Sequence, residues 1–182
     1  MNVKITGIGS YIPSEIAKNE HFGDHHFYNE DGTRFGQENE TIIEKFKAIT
    51  GIAERRYIPK NLNTSDIAAF AAENAIKNAG IDKEDLDYII VAHNYGDVRH
   101  GSVQSDTVPS IAFIKSGIAS KCLVIGAEAL SRVVDPHDRD SMIYSDGAGA
   151  AVVQATEEAG GILNHFSATY AFEEAHFIFF GE

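Results

Sequence analysis

Lys121–Gln154 reads KCLVIGAEALSRVVDPHDRDSMIYSDGAGAAVVQ, and the fold turns on how this stretch is read. Cys122-Leu123-Val124-Ile125 is a short apolar run without alternation, closed by Gly126, which is the pattern of a strand covered on both faces. A polar turn, Asp135 to Asp140, separates it from Gly147-Ala148-Gly149-Ala150-Ala151-Val152-Val153, a run small at one end and β-branched at the other. That is a second strand, whose small residues would let another backbone approach closely. Asp146-Gly147-Ala148-Gly149 matches neither glycine-rich nucleotide pattern, and a strand rather than a helix follows it, so close packing is expected there and not a phosphate loop.

Outward from this stretch, Leu86 to Ala92 is another apolar run and predicts a mostly buried strand. Before it, Thr64 or Ser65 caps a helix with Asp66 in its first turn, Ile67, Ala71, Ala75 and Ala79 along one face, and Gly80 as its stop. Alanines on the packing face predict a helix lying close on a sheet. Ile42, Ile43, Phe46 and Ile49 place a shorter amphipathic helix over 41–50, ended by Gly51. Val3 to Gly9 is a strand that Pro13 stops; its glycines are no dinucleotide fingerprint, because Tyr11-Ile12-Pro13 cannot open a helix. Residues 19–39 are polar and aperiodic and read as an inserted or long surface loop. Alternating helix and strand is the grammar of an α/β fold. The expectation is a mixed, mainly parallel sheet of residues 3–8, 87–92, 122–126 and 147–154, with 65–79 packed on it, in one domain spanning 1–182.

Composition narrows the function classes. A chain of 182 residues, 43% hydrophobic, can bury one real core. A formal net charge of -12 argues against nucleic acid, whose phosphates require a clustered basic surface. No run of eighteen apolar residues and no secretory signal is present, so a cytoplasmic protein without a membrane span is expected. One cysteine agrees with a reducing compartment. His21, Asp24, His25 and His26 share a loop but lack the ligand spacing of a metal site. His93, Asp97, Arg99 and His100 form a cluster open to two readings, acid–base chemistry or a solvated loop. Arg55, Arg56 and Lys60 are the only tight basic group, either receiving an acidic partner or solvating a strand end.

Several motifs then occur in one order: ITGIGSYIP from Ile5, TGIAERRYIP from Thr50, NAGI from Asn78, VIGAEALSR from Val124, DPHDR from Asp135 and SDGAGAAVV from Ser145. Together they resemble the β-ketoacyl-acyl carrier protein synthase III enzymes, condensing enzymes of the thiolase fold. The resemblance covers nearly all of the chain and stops where the family's second half would begin. It implies the N-terminal half of a thiolase-like fold, no bound cofactor, and a homodimer. It also implies a chemistry in which a cysteine accepts an acyl group from coenzyme A and passes it to a malonyl group on acyl carrier protein. Thr41 and Arg139 match positions of the family's coenzyme A site, whereas a family tryptophan and arginine are replaced by Lys45 and Ile49.

The resemblance also implies an omission. Between the strands at 87–92 and 122–126, a parallel pairing requires a crossover, and only Pro109 to Ala119, broken by Gly117, is available. Ser110 looks joined to Ile111 across roughly 35 to 40 missing residues, judged from ordinary element lengths. The family's nucleophilic cysteine belongs to that omission, and its catalytic histidine and asparagine belong to the second half. Cys122 falls at a variable family position and begins a buried strand, so no catalytic residue is expected in this chain. The reading that follows is part of an acyltransferase, inactive as this chain. The alternative is a non-catalytic paralogue serving as dimer partner or acyl-binding module. Phe177-Ile178-Phe179-Phe180, close to the last residue, either folds into the core or is covered by more of a larger fold.

Overall fold

A computed structural model describes residues 1–29, 31–97, 110–166 and 168. Among these residues six strands form two sheets. The larger takes β1 (Asn2–Tyr11), β6 (Gly147–Thr156), β5 (Lys121–Glu128) and β4 (Tyr88–Ala92), in that spatial order. The smaller is an antiparallel pair of β2 (Glu15–Lys18) and β3 (Glu54–Tyr57). The α-helices among the described residues are α1 (Asn39–Thr50), α2 (Thr64–Ala79) and α3 (Ser110–Lys115), with short 3-10 turns between the elements.

The sheet is mixed, and three of its four strands share one direction. β4 and β5 pair in parallel, while β6 runs against both of its neighbours, β5 and β1. Lying inside the sheet, the one reversed strand makes two of the three pairings antiparallel. Connection chemistry explains this. The segment between β5 and β6 holds only short 3-10 turns, Leu130–Arg132 and Arg139–Ile143, and returns the chain at the end of the sheet where β5 finished.

α2 covers one face. Ile67, Ala68, Ala71, Ala72 and Ala75 pack on Leu123, Ile125, Ala127, Ala150 and Val152, and the fully buried Ile67 and Leu123 each contribute about 2 kcal/mol by leaving water. Asn63 is the N-cap, with its amide bonded 2.8 Å to Asp66 Oδ2 in a capping box; Thr64, an expected cap, is already the first helical residue. The close approach predicted for the glycines of β6 lies elsewhere. A Cβ on Gly149 would meet nothing within 4 Å, whereas one on Gly7 would sit 2.5 Å from the Ala79 amide, and one on Gly9 would collide with the Ala71 carbonyl. It is β1 whose glycines admit the helix backbone.

On the opposite face, Val3, Cys122 and Val153 pack with Ile114 of α3 and with Ala119. β4 departs from its expected burial. It pairs on one side only among the described residues, and Ile89 is 61% exposed while Ile90 is buried. Residues 19–39 contain one 3-10 turn, Asn19–Phe22, and yet they are no mere surface loop. Phe22 and Phe27 are buried with Ile42 of α1 and Met142 in a separate apolar cluster beside the β2–β3 pair.

Of the earlier expectations, Arg99, His100 and the run Phe177–Phe180 lie outside the described residues. No helix among the described residues is long and apolar enough to cross a membrane.

Candidate functional site

Two adjoining grooves meet at Arg139, the first residue of the 3-10 turn before β6. The deeper one, about 330 Å³, runs between that turn and α1. Its walls are Phe35, Ile42, Phe46, Met142 and Ile143, and its rim carries Lys45, Ile49, Thr50 and Asp140. The spacing of 42, 45, 46 and 49 places these residues on one side of α1. Ile42 faces the cluster and is buried, but Ile49 is 85% exposed, so the apolar periodicity of α1 serves a groove at its C-terminal end and not a core.

The wider groove, about 860 Å³, opens over Tyr28, Asn29, Phe35 and the turn 135–140. It is built by pinning two loops together. The Tyr28 amide donates to the His137 carbonyl at 3.0 Å, His137 Nδ1 lies 2.8 Å from the His26 carbonyl, and His25 Nδ1 lies 3.2 Å from the Pro136 carbonyl. These contacts use His25 and His137 as braces, and among the described residues no three His, Cys, Asp or Glu side chains converge as on a metal.

Two buried polar side chains brace the chain around the turn, Arg55 holding it at Met142 and Asp146 tying Ile58 to Ser131. Arg55, 3% exposed, donates from Nε to the Met142 carbonyl at 3.1 Å, from Nη1 to the Ala17 carbonyl at 3.1 Å, and from Nη2 to Asn19 Oδ1 at 2.7 Å. Its guanidinium also lies over the rings of Phe22 and Phe46. Burial pulls the Arg55 pKa below its usual value and pushes the Tyr57 phenol up. Asp146, 5% exposed, accepts from the Ile58 amide at 2.9 Å and from both the amide and hydroxyl of Ser131. Arg55 is therefore committed inside the protein, which removes it from the surface basic group read in the sequence; Arg56 and Lys60 stay accessible.

The structure gathers Lys45, Ile49 and Arg139 at one groove. Thr41 is exposed on the first turn of α1 and lies outside the lining of both grooves. Arg139 itself is exposed, with Nε 3.7 Å from Asp140 Oδ1 and its guanidinium 5.0 Å from the centre of the Phe35 ring. Phe35 carried no sequence signal, because it sits in the aperiodic 19–39 stretch. His93 lines a crevice of about 580 Å³ at the carboxyl ends of β4 and β5, and Asp97 Oδ1 accepts the Ser65 amide at the start of α2. Cys122 is fully buried within β5, and burial, reinforced by Asp87, pushes its thiol pKa up. A thiol so placed is a packing residue.

Comparison with known proteins agrees with this geometry. Residues 110–171 match the family model of 3-oxoacyl-[acyl-carrier-protein (ACP)] synthase III. Beta-ketoacyl-[acyl-carrier-protein] synthase III 1 of Vibrio cholerae is 38% identical over 194 residues, taking in 92% of this chain and 57% of the relative. The synthase III of Staphylococcus haemolyticus is 34% identical over 191 residues, with 91% and 57% covered. The crystal structure of 3-oxoacyl-[acyl-carrier-protein] synthase III from Aquifex aeolicus VF5 superposes with a TM-score of 0.67 at 30% identity, covering 86% of this chain and 55% of that one. An alignment of 194 residues is longer than the 182-residue chain, so the Vibrio relative has residues within the aligned span that find no counterpart here. In sequence and in fold the chain is similar to β-ketoacyl-acyl carrier protein synthase III, and it spans about half the length of the curated relatives it matches.

Proposed function

We propose that this chain is part of a β-ketoacyl-acyl carrier protein synthase III-like acyltransferase, acting in fatty-acid or polyketide synthesis, and that the chain alone does not carry out condensation. The observation that carries the reading is the similarity to synthase III along 92% of the chain. The groove at Arg139 supports it, as a concave, largely apolar site with a few polar groups on its rim. In this reading the groove receives the pantetheine arm of a coenzyme A thioester or of acyl carrier protein. Arg139 pairs with phosphate, and Thr41 stands at the outer end of the site. The protein works in the cytoplasm as a homodimer.

Inactivity follows from chemistry. Condensation requires a thiolate to hold the acyl group and polarising groups for the developing enolate, and losing such members together costs many powers of ten. Cys122 is the one thiol of the sequence, and its burial works against thiolate formation. Incubation with radiolabelled acyl-coenzyme A followed by denaturing electrophoresis tests the first half-reaction. No stable label is expected. Label that disappears in Cys122→Ser would overturn the assignment of that thiol.

The unmatched residues within the aligned span favour a second reading, a non-catalytic paralogue that serves as dimer partner or acyl-binding module. Sequencing the transcript decides between them. A cysteine-bearing segment between Ser110 and Ile111 restores the enzyme, and continuous coding establishes the paralogue.

A further inference from the structure

Resting on the thioester-carrier reading of the groove at Arg139, we infer that this site selects an acyl group borne on a single-phosphate pantetheine arm, 4′-phosphopantetheine, over the nucleotide-bearing coenzyme A thioester.

The argument is one of charge and occupancy. Four carboxylates, Asp31, Asp135, Asp138 and Asp140, line the wider groove, and Arg139 is the only Lys or Arg among its described lining residues. The deeper groove adds Lys45 and no further carboxylate. Local hydrogen bonds fix three of these carboxylates, and Asp140 Oδ1 lies 3.7 Å from Arg139 Nε. Asp31 Oδ1 accepts the Thr33 hydroxyl at 2.6 Å and its amide at 2.9 Å, Asp135 accepts the His137 amide at 2.8 Å, and Asp138 accepts the Asp140 amide at 2.9 Å. The Thr33 donors hold the Asp31 pKa below its ordinary value, which keeps that charge in place.

A coenzyme A nucleotide would bring a 3′-phosphate and a diphosphate to this mouth. They would lie within a Debye length of the carboxylates and meet like charge. One aromatic surface that could stack a purine, the face of Phe35 under the Arg139 guanidinium, is also taken, which leaves Tyr28 among the aromatic side chains of that groove. On the other rim stands Ile49, apolar and exposed, where an anion would need a donor. A single phosphate makes a smaller demand. Lys45, held by a 3.0 Å bond to the neutral Gln37, and Arg139 are two cations enough to receive it, while the apolar floor takes the pantetheine chain.

The test is calorimetric titration of the purified chain at low salt with pantetheine, 4′-phosphopantetheine, 3′-dephospho-coenzyme A and coenzyme A. 4′-Phosphopantetheine is expected to bind about fivefold or more tightly than coenzyme A, the ratio that one unfavourable charge contact in water would produce. Raising the salt should narrow the ratio. Ile49→Arg should strengthen coenzyme A selectively, and Asp135→Asn with Asp138→Asn should do the same without touching the apolar floor. A parallel titration with holo and apo acyl carrier protein separates the sources: holo binding above apo points to the protein-borne arm, and binding of the free compound alone points to a free carrier. Coenzyme A binding as tightly as 4′-phosphopantetheine in the unmodified chain, or carboxylate variants without effect on it, would overturn the inference and leave the thioester-carrier reading standing. If none of the four compounds perturbs the amide resonances of Ile49 and Arg139, that reading fails and the inference with it.

Discussion

The α2 side of the large sheet and the aromatic side around Arg55 are both well packed, yet they are built on opposite terms. The first is made of small residues at a short separation: glycines of β1 against the alanine face of α2, with helix backbone where side chains would be. The second is made of large residues around a buried cation, with Phe22, Phe27, Phe46 and Met142 gathered beside Arg55 from three separate stretches of chain. The difference teaches where each is vulnerable. Close backbone packing fails when anything is added, and the cation cluster fails when something is removed.

Adding to the first side should produce the largest effect. Gly9→Val would drive a branched side chain into the Ala71 carbonyl and the Ala75 amide, neither of which can yield without moving α2. A loss of about 3 kcal/mol or more is expected in urea unfolding. A midpoint like that of the unmodified chain would break the comparison. On the second side, Arg55→Met keeps much of the volume and the contact with Phe22 but leaves three oxygens without their donor. About 2 kcal/mol should be lost, and Arg55→Lys should recover only part, because one ammonium cannot span the three acceptors. Equal stability of Arg55→Met would show the polar contacts to be incidental.

A smaller effect sharpens the contrast at the sheet's start. Asp87 Oδ2 accepts the Ser120 amide at 2.7 Å and the Lys121 amide at 2.9 Å, and these bonds hold its pKa below the ordinary carboxylate value. With the folded value depressed, its contribution is present above the unfolded pKa and is lost as pH falls through the folded one. Between about pH 6 and about pH 2, Asp87→Asn should therefore lose less stability than the unmodified chain. Parallel pH profiles would contradict this. The smallest effect belongs to Ile49. Exposed on the groove rim, Ile49→Ala should change stability by less than about 0.5 kcal/mol, so a large loss would place that side chain in the core after all.

The same contrast marks how far the sequence could be read. α2 was visible through periodicity and its stop at Gly80, and β5 through its unbroken apolar run, because a helix or strand repeats its burial locally. β2 and β3 were not seen: four residues each, with Arg55 buried and Glu54 exposed, they carry no apolar pattern. The candidate site was half visible. Arg139, Lys45 and Ile49 stood out against a resemblance, but Phe35 and Gln37 sit in an aperiodic stretch and meet the others only in space. Thr41 matches the same site in sequence and is exposed on the first turn of α1, outside the lining of both grooves.

By itself, then, the sequence determined the α/β class, the strands and helix of the main layer, the burial of Cys122 and the relationship to synthase III, all of which rest on local runs and ordered motifs. Tertiary structure alone decided that β6 runs against both its neighbours, that β1 rather than β6 admits the helix, that Arg55 is an internal brace, and that Asp31 lines the same groove as the turn carrying Arg139. The physical reason is range. Periodicity records what each residue does toward its own element, whereas close approach, buried charge and groove electrostatics depend on pairs of residues that the chain brings together from far apart.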